Sequence, residues 1–241
     1  MKKRNFFVFL FFFFVFLFFL KINNFIFQNN QICFFWNNET LSFEKDEMEF
    51  LAKDQEFFNQ NKIKKISLDQ SFDFAQIELK NKKIEIKNNN KLIWETPVEW
   101  KVEDFILADS INKGETYLNL LVWKSGSYGP HQPIWIKEND LSIKNHLFIF
   151  KIKDLKIEPI WQSSALLAPN CEILITDINN DQENELIVLE GDYKNQKCEG
   201  QYVAVWKWHE WGFQNEWRSE KGNYQKLRIE FFNQKNYIVV N

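Results

Sequence analysis

Two apolar runs, Ile173-Leu174-Ile175-Thr176 and Leu186-Ile187-Val188-Leu189, enclose the polar segment Asp177-Ile178-Asn179-Asn180-Asp181-Gln182-Glu183-Asn184-Glu185. Short apolar runs rich in β-branched residues, separated by amide and carboxylate side chains, are typical of two strands joined by a loop. The stretch therefore predicts a β-hairpin. A second pair of runs, Phe105 to Ala108 and Leu118 to Trp123, encloses a polar loop that begins at Asp109 and predicts a similar hairpin.

The two hairpins belong to a longer repeat. Two short strands precede each of them, and the second of these strands carries a tryptophan: Trp94 lies 15 residues before Asp109, and Trp161 lies 16 residues before Asp177. A third and weaker copy contains Trp217 and ends with the strands Leu227 to Phe231 and Tyr237 to Val240. Four strands per copy and a period of about 50–70 residues are similar to the blades of β-propellers.

The predicted fold class is therefore all-β, a propeller-like stack of four-stranded blades. We count three copies and a partial fourth, from Leu41 to Leu68, so that the ring is expected to be four-bladed, irregular or open. This repeat domain is assigned to residues 63–241, after a linker and irregular region at 28–62. A β-sandwich with coincidental tryptophan spacing is the alternative.

The N-terminus predicts a hydrophobic helix that is inserted in a membrane. Lys2, Lys3 and Arg4 precede an unbroken apolar run from Phe6 to Leu20, which is typical of a secretory signal or a signal anchor. Residues 1–27 are assigned to a transmembrane signal anchor, because no Ala, Gly or Ser occurs before Ser42 to form a cleavage site. A cleaved signal is the alternative. The positive-inside rule then places the C-terminal domain outside the cytoplasm of a single-pass membrane protein.

Charge and cysteine content limit the partners and the compartment. The net charge is −3, with acidic and basic residues interspersed, which does not indicate nucleic acid as a partner. Of the three cysteines, Cys171 and Cys198 flank a predicted hairpin, and export would place them where disulfides persist. We expect these two to be bridged and Cys33 to be left over; three thiols without a bridge are the alternative.

The Asp177 loop is the one segment whose chemistry indicates a ligand. Asp177, Asn179 and Asp181 stand at alternate positions, Glu185 closes the loop, and the carbonyl of Glu183 adds an oxygen. Calcium prefers six to eight oxygen ligands, and such a loop supplies most of them. The sequence therefore predicts a calcium site here, with a polar turn that only joins two strands as the alternative.

The same loop carries a resemblance to a known family. The pattern Asp-x-Asn-x-Asp-x-x-x-Glu-Leu, with its two apolar flanks, resembles FG-GAP and VCBS-type repeats, the calcium-loop blades of integrin-alpha-like β-propellers. The resemblance implies that Asp177, Asn179, Asp181 and Glu185 bind calcium on the rim. Gln182 replaces the usual glycine of the family, which weakens the turn. The copy at Asp109 keeps Gly114 but lacks the other ligands, so no metal is expected there.

These features predict a membrane-anchored, extracytoplasmic binding module rather than an enzyme, with an unidentified protein or glycan as its ligand. Trp211, beside Gly212 in a predicted turn, is the best candidate for an exposed ligand platform, whereas Trp206 and Trp217 are expected in the core. The alternatives are a carbohydrate-active enzyme on a propeller scaffold and a purely structural envelope protein. Fold alone does not choose between them.

Overall fold

The structure is a computed structural model that describes residues 31–46, 62–67, 74–126, 134–135, 137–138, 140–194 and 198–241. The chain divides into two compact units, Met1–Asn30 and Gln31–Asn241, and the described residues all belong to the second. The signal anchor predicted for residues 1–27 lies outside them. Within these ranges no helix is long and apolar enough to cross a membrane.

Strands form the regular secondary structure of the described residues. In chain order they are β1 (Ile32–Asn37), β2 (Ser42–Asp46), β3 (Lys62–Ser67), β4 (Phe74–Lys80), β5 (Lys83–Asn88), β6 (Lys91–Glu95), β7 (Lys101–Ala108), β8 (Tyr117–Ser125), β9 (Ile143–Lys153), β10 (Lys156–Gln162), β11 (Asn170–Thr176), β12 (Glu185–Glu190), β13 (Tyr202–His209), β14 (Gly212–Arg218), β15 (Leu227–Phe232) and β16 (Lys235–Val240).

The strands make four antiparallel sheets of four strands each. The first sheet contains β3, β4, β5 and β6, the second β7 to β10, and the third β11 to β14, each in chain order. The fourth sheet has the order β15-β16-β1-β2 and so joins the two ends of the described chain. The prediction of an all-β fold is confirmed for the described residues.

The fourth sheet differs from the sequence interpretation. Ile32 of β1 pairs with Val240 of β16, and Phe35 pairs with Tyr237, so that part of the segment 28–62, interpreted as linker and irregular, is strand. The partial copy from Leu41 to Leu68 is divided, because β2 belongs to the fourth sheet and β3 to the first. Likewise β15 and β16 do not complete a copy with β13 and β14. Because β1 and β16 are so distant in sequence, no local pattern predicts that they pair.

The hydrophobic core lies between successive sheets. Three buried clusters hold the sheets together: one between the first and second sheets, including Ile77, Ile86, Phe105 and Leu118; one between the second and third, including Leu121, Leu147, Leu186 and Val188; and one between the third and fourth, including Ile187, Val205, Phe34 and Ile238. Each sheet therefore buries apolar side chains against the next one along the chain.

The repeated tryptophans lie in the last strands of three sheets and contact the following sheet. Their ring partners are Phe150 for Trp94 at 5.7 Å, Phe213 for Trp161 at 5.7 Å, and Phe34 for Trp217 at 5.0 Å. A β-bulge directly precedes each tryptophan, at Ile93, Ile160 and Glu216. The tryptophan spacing in the sequence thus reports a repeated contact between sheets.

A hydroxyl two residues after each tryptophan completes the repeat. The side-chain oxygens accept hydrogen bonds from backbone amides of the neighbouring strand: Thr96 from Ile84 at 3.1 Å, Ser163 from Leu147 at 3.0 Å, and Ser219 from Val203 at 3.0 Å. Buried amides need such partners. The pattern Trp-x-Ser/Thr therefore marks the end of each of these three sheets.

Candidate functional site

The Asp177 loop is folded by its first aspartate. Asp177 Oδ1 accepts a hydrogen bond from the amide of Asp181 at 3.1 Å, and Oδ2 accepts one from the amide of Gln182 at 2.9 Å. Asn180 and Gln182 have φ angles of 62° and 72°, which asparagine tolerates and glycine would adopt without strain. The carboxylate of Asp177 therefore determines the turn.

The Asp109 loop has the same backbone hydrogen bonds. Asp109 accepts from the amides of Lys113 and Gly114, at 3.1 and 2.6 Å, which occupy the positions of Asp181 and Gln182. Asn112 and Gly114 have φ angles of 55° and 74°. The two loops also contact each other, since the Asn184 amide donates to Asn112 Oδ1 at 2.8 Å. The shared aspartate is thus a turn-forming residue in both loops.

A lysine that sequence analysis missed is the cation of the Asp177 loop. Lys207 in β13 lies opposite Glu185 in β12. Its Nζ forms an ion pair with Asp181, lies 2.8 Å from Glu183 Oε2, and lies 3.7 Å from Glu185 Oε1. Two of the predicted calcium ligands, the carboxylates of Asp181 and Glu185, therefore converge on an ammonium group together with the carboxylate of Glu183, whose predicted ligand was its carbonyl. Lys207 follows Glu185 by a whole strand and loop, and only the sheet register brings the two together.

The other two predicted ligands hold the loop in shape. Asp177 binds the backbone amides, and Asn179 accepts from the amide of Asp181 at 3.0 Å while donating to Asp181 Oδ2 at 3.1 Å. No group of three or more His, Cys, Asp or Glu side chains in the described part of the chain is arranged to hold a metal ion. Calcium binding stays a prediction of the sequence, and it requires Lys207 to release its carboxylates.

The ionisation of the loop reflects both burial and these contacts. Burial raises the pKa of Asp181, but the hydrogen bonds from Lys207, the Glu183 amide and Asn179 outweigh it and leave the pKa below its ordinary value. Burial lowers the pKa of Lys207, but the hydrogen bonds to Asp181 and Glu183 outweigh it and raise that pKa. The two charges therefore stabilise each other.

Glu185 behaves differently from its neighbours. Its side chain is only 2% exposed. One oxygen accepts a hydrogen bond from the amide of Ile178 at 3.0 Å, and the other makes no hydrogen bond within the described residues. Burial raises the pKa of Glu185 to about 7, the Ile178 amide opposes that rise, and nearby Asp181 adds to it. Glu185 is therefore a carboxyl group that titrates near neutral pH.

The second loop has a lysine of its own in the equivalent place. Lys151 in β9 lies 2.5 Å from Glu115 Oε2, and Tyr117 donates to the same oxygen at 3.1 Å. These hydrogen bonds lower the pKa of Glu115. Each loop thus pairs an acidic residue with a lysine from the next-but-one strand. This ion pair is therefore part of the internal repeat and is not restricted to the Asp177 loop.

The two cysteines singled out in the sequence form a disulfide. The sulfur atoms of Cys171 and Cys198 are 2.15 Å apart, and their Cα atoms are 5.2 Å apart. A Cβ on Gly191 would lie 2.8 Å from Cys171 Sγ, so glycine lets the backbone pass beside the bridge. Cys33 is buried in β1. The bridge fixes β11 to the loop that follows β12.

The tryptophans separate into core and surface positions. Trp211 lies in the turn between β13 and β14 and is 81% exposed, as a ligand platform requires. Trp206 packs against the cluster between the second and third sheets, and Trp217 packs against the cluster between the third and fourth. Trp211 is thus available to a partner, whereas the other two stabilise the fold.

An apolar cavity lies between the second and third sheets. It has a volume of about 130 Å³ and is lined by the aromatic rings of Trp161, Trp206 and Phe213. Among the described residues that line it, Glu190 is the one carboxylate, and it forms an ion pair with Arg218. Burial raises the pKa of Glu190, and Arg218 opposes the rise. The cavity does not supply the two facing carboxylates that a glycosidase uses.

No model of a known protein family matches this sequence, and no curated protein matches it. The resemblance to FG-GAP and VCBS-type repeats therefore stays a prediction that rests on the Asp177 and Asp109 hairpins and, for the rest of the chain, on the order of the strands.

Proposed function

We propose that residues 31–241 form a four-bladed propeller-like module that binds a partner outside the cytoplasm. The arrangement of the sheets supports the propeller. Four antiparallel sheets follow one another along the chain, each packs on the next, and the first strands β7 and β11, and also β11 and β15, are in contact. First strands that meet in this way are expected around a central axis.

The fourth sheet supports closure of the ring. Pairing of β1 with β16 removes a free sheet edge and ties the two ends of the module together. A module whose terminal strands are paired in this way cannot unravel from either end without losing that pairing.

The N-terminal charge pattern and the disulfide both support a location outside the cytoplasm. Lys2, Lys3 and Arg4 before the apolar run Phe6 to Leu20 indicate a membrane anchor with its N-terminus inside. The Cys171–Cys198 bridge is typical of domains outside the reducing cytoplasm. The module is therefore proposed to lie at the outer surface of the membrane that anchors it.

A binding role is the best supported, and the single observation that carries it is the exposure of Trp211. The Trp211 side chain is 81% exposed, so in the free protein its apolar surface is in contact with water, which is unfavourable. Tryptophan is also enriched among the residues that contribute most of the binding energy at interfaces. The buried carboxylates Glu185 and Glu190 each face a cation. This arrangement favours an interaction module over the alternative of a carbohydrate-active enzyme.

Calcium is a second, separate proposal for the Asp177 loop. The alternating oxygens of Asp177, Asn179 and Asp181 support it, and the family resemblance adds to that support. Lys207 already forms an ion pair with Asp181 and lies 3.7 Å from Glu185, so calcium must compete with it for these two ligands. We therefore propose weak binding, of about 10⁻⁴–10⁻³ M, as in extracellular calcium modules.

Affinity capture from the native envelope tests the binding role. The tagged full chain, with and without calcium, should retain an envelope component, and Trp211→Ser should reduce its yield. Leu155→Ser is the matched control, because Leu155 is 43% exposed and occupies the equivalent turn between β9 and β10. Equal yields from both variants and wild type would remove Trp211 from the interaction. Enrichment no greater than with the tag alone would contradict the binding module.

A further inference from the structure

A cavity of about 230 Å³ opens where the Asp177 loop meets two turns of the fourth sheet. The turns are those between β1 and β2 and between β15 and β16. Six of the nine lining residues carry side-chain amides, and Trp36 contributes an aromatic ring. The amide residues are Asn38, Asn179, Asn180, Asn233, Gln234 and Asn236. Three separate segments of the chain therefore contribute side-chain amides to one cavity.

Part of this amide set fixes the walls of the cavity. Asn236 Nδ2 donates to the carbonyl of Asp177 at 2.9 Å and lies 3.4 Å from Asn180 Oδ1. These contacts join the fourth sheet to the loop of the third. Since Asn179 is bound to Asp181, the loop side of the cavity is held in place before any ligand arrives, which reduces the ordering cost of binding.

The remaining amides are available to a ligand. Asn38, Asn233 and Gln234 are exposed, and their side chains make no hydrogen bond to the described part of the chain. Left-handed backbone, with φ of 47° at Asn233, accounts for an asparagine there. The left-handed backbone does not account for Asn38. It also does not explain why position 234 has glutamine, when asparagine or glycine is favoured in that conformation. Turn geometry therefore explains only part of the amide content.

The chemistry of the lining restricts the ligand class. An amide carries both donors and an acceptor without charge, which complements a hydroxyl group that also donates and accepts. Lys235 is the one cation among the described lining residues, and its ammonium lies 4.5 Å from the ring centre of Phe35. A phosphate or sulfate ligand would call for several cations, whereas neutral hydroxyl groups need none.

Trp36 supplies the apolar part of the same site. Its ring packs edge-on against Phe43 at 5.1 Å and is half-buried, so it is held in a fixed orientation while part of it lines the cavity. Ligand sites commonly combine aromatic surface with a few directed polar groups. The volume is below the roughly 300–1,000 Å³ of sites for drug-sized molecules, which suits one sugar ring.

We propose that this cavity binds a neutral saccharide, with one sugar ring packed on Trp36 and its hydroxyl groups hydrogen-bonded by Asn38, Asn233 and Gln234. The proposal rests on the extracytoplasmic binding role and names a ligand class for it. It uses a different surface from Trp211.

Binding of neutral saccharides by the full chain tests the proposal. Immobilised glucose, galactose, mannose and N-acetylglucosamine, each as monomer and oligomer, are the probes, and the detergent must not be a glycoside. We expect saturable binding of at least one probe. The double variant Asn38→Ala, Gln234→Ala should weaken it about tenfold, as loss of two hydrogen bonds implies.

Asn90→Ala is the matched control. Asn90 has φ of 64° in the turn between β5 and β6 and is exposed, so it repeats the position and backbone of Gln234 away from the cavity. Unchanged binding by this variant, together with melting temperatures well above the assay temperature for every variant, supports the site.

Three outcomes would overturn the proposal: no probe is bound, binding is equal in wild type and the double variant, or only sulfated or phosphorylated saccharides are bound. Retention of an envelope component through Trp211 without saccharide binding would overturn the cavity assignment and leave the binding module in place.

Discussion

Replacing Glu185 by glutamine should remove a pH-dependent cost of folding. The carboxyl group is buried, and its pKa rises from an ordinary 4.5 to about 7. Because the folded state holds this proton more tightly than the unfolded chain does, the group's stabilising contribution is fully present below about pH 4.5 and is lost as the pH rises through about 7. Glutamine keeps an oxygen that can accept from the Ile178 amide and carries no charge at any pH.

The expected gain follows from the pKa difference. A tenfold change in proton affinity is about 1.4 kcal/mol, so the rise to about 7 corresponds to about 3 kcal/mol when Glu185 is fully ionised. The attraction of Lys207, 3.7 Å away, is already included in that pKa, so the expected gain stays at about 3 kcal/mol. At about pH 4.5 the variant and the wild type should be equally stable.

Urea unfolding at pH 4.5, 6, 7 and 8, followed by tryptophan fluorescence, measures the effect. Glu115→Gln is the contrasting control, because the hydrogen bond from Lys151 lowers the pKa of Glu115. That variant should lose stability at neutral pH and approach the wild type in acid. If Glu185→Gln has the same pH dependence as the wild type, or is less stable at pH 8, the account of a carboxyl group that is costly to ionise is wrong.

Three further changes test the loop, the bridge and the repeat. Millimolar calcium should raise the melting temperature of the wild type, since it binds the folded state. This calcium-induced rise in melting temperature should be absent in Asp177→Ala, unchanged in Asp109→Ala and larger in Lys207→Met. If calcium shifts the melting temperature of neither the wild type nor Lys207→Met, the metal site is excluded. Cys171→Ser should lower the free energy of unfolding by about 3–4 kcal/mol, because the bridge closes a long loop, and an unchanged urea midpoint would refute this. Ser219→Ala should cost about 1–3 kcal/mol through the unpaired Val203 amide, whereas Ser219→Thr should cost less; equal losses would contradict the hydrogen-bond explanation.

Local sequence pattern was sufficient to predict the repeated strands and tryptophans. Trp94 and Trp161 are recognisable because the contact between sheets recurs at nearly constant spacing, and the strands around Asp177 are recognisable because they are short apolar runs. Trp-x-Ser/Thr was also present in the sequence, but its meaning depends on a hydrogen bond to the neighbouring strand. Spacing therefore predicts elements that depend on neighbours along the chain.

Contacts between distant segments were not predictable in the same way. The pairing of β1 with β16 depends on closure of the whole domain, and Lys207 meets the Asp177 loop only through the register of β12 and β13. The amide cavity combines Asn38 with Gln234, which no periodicity connects. The loop that seemed to require an external cation thus has one of its own, from a strand that carries no motif.

The central claim is that the module lies outside the cytoplasm, and the most direct test is to measure on which side of the membrane it lies. Cells with a permeabilised outer layer and a sealed cytoplasmic membrane are treated with an impermeant amine reagent, and labelling of exposed lysines such as Lys91 and Lys101 is measured by mass spectrometry. A module outside the cytoplasm should be labelled equally in sealed and lysed cells, while a cytoplasmic control protein is labelled only after lysis. Labelling of Lys91 and Lys101 only after lysis would contradict the account.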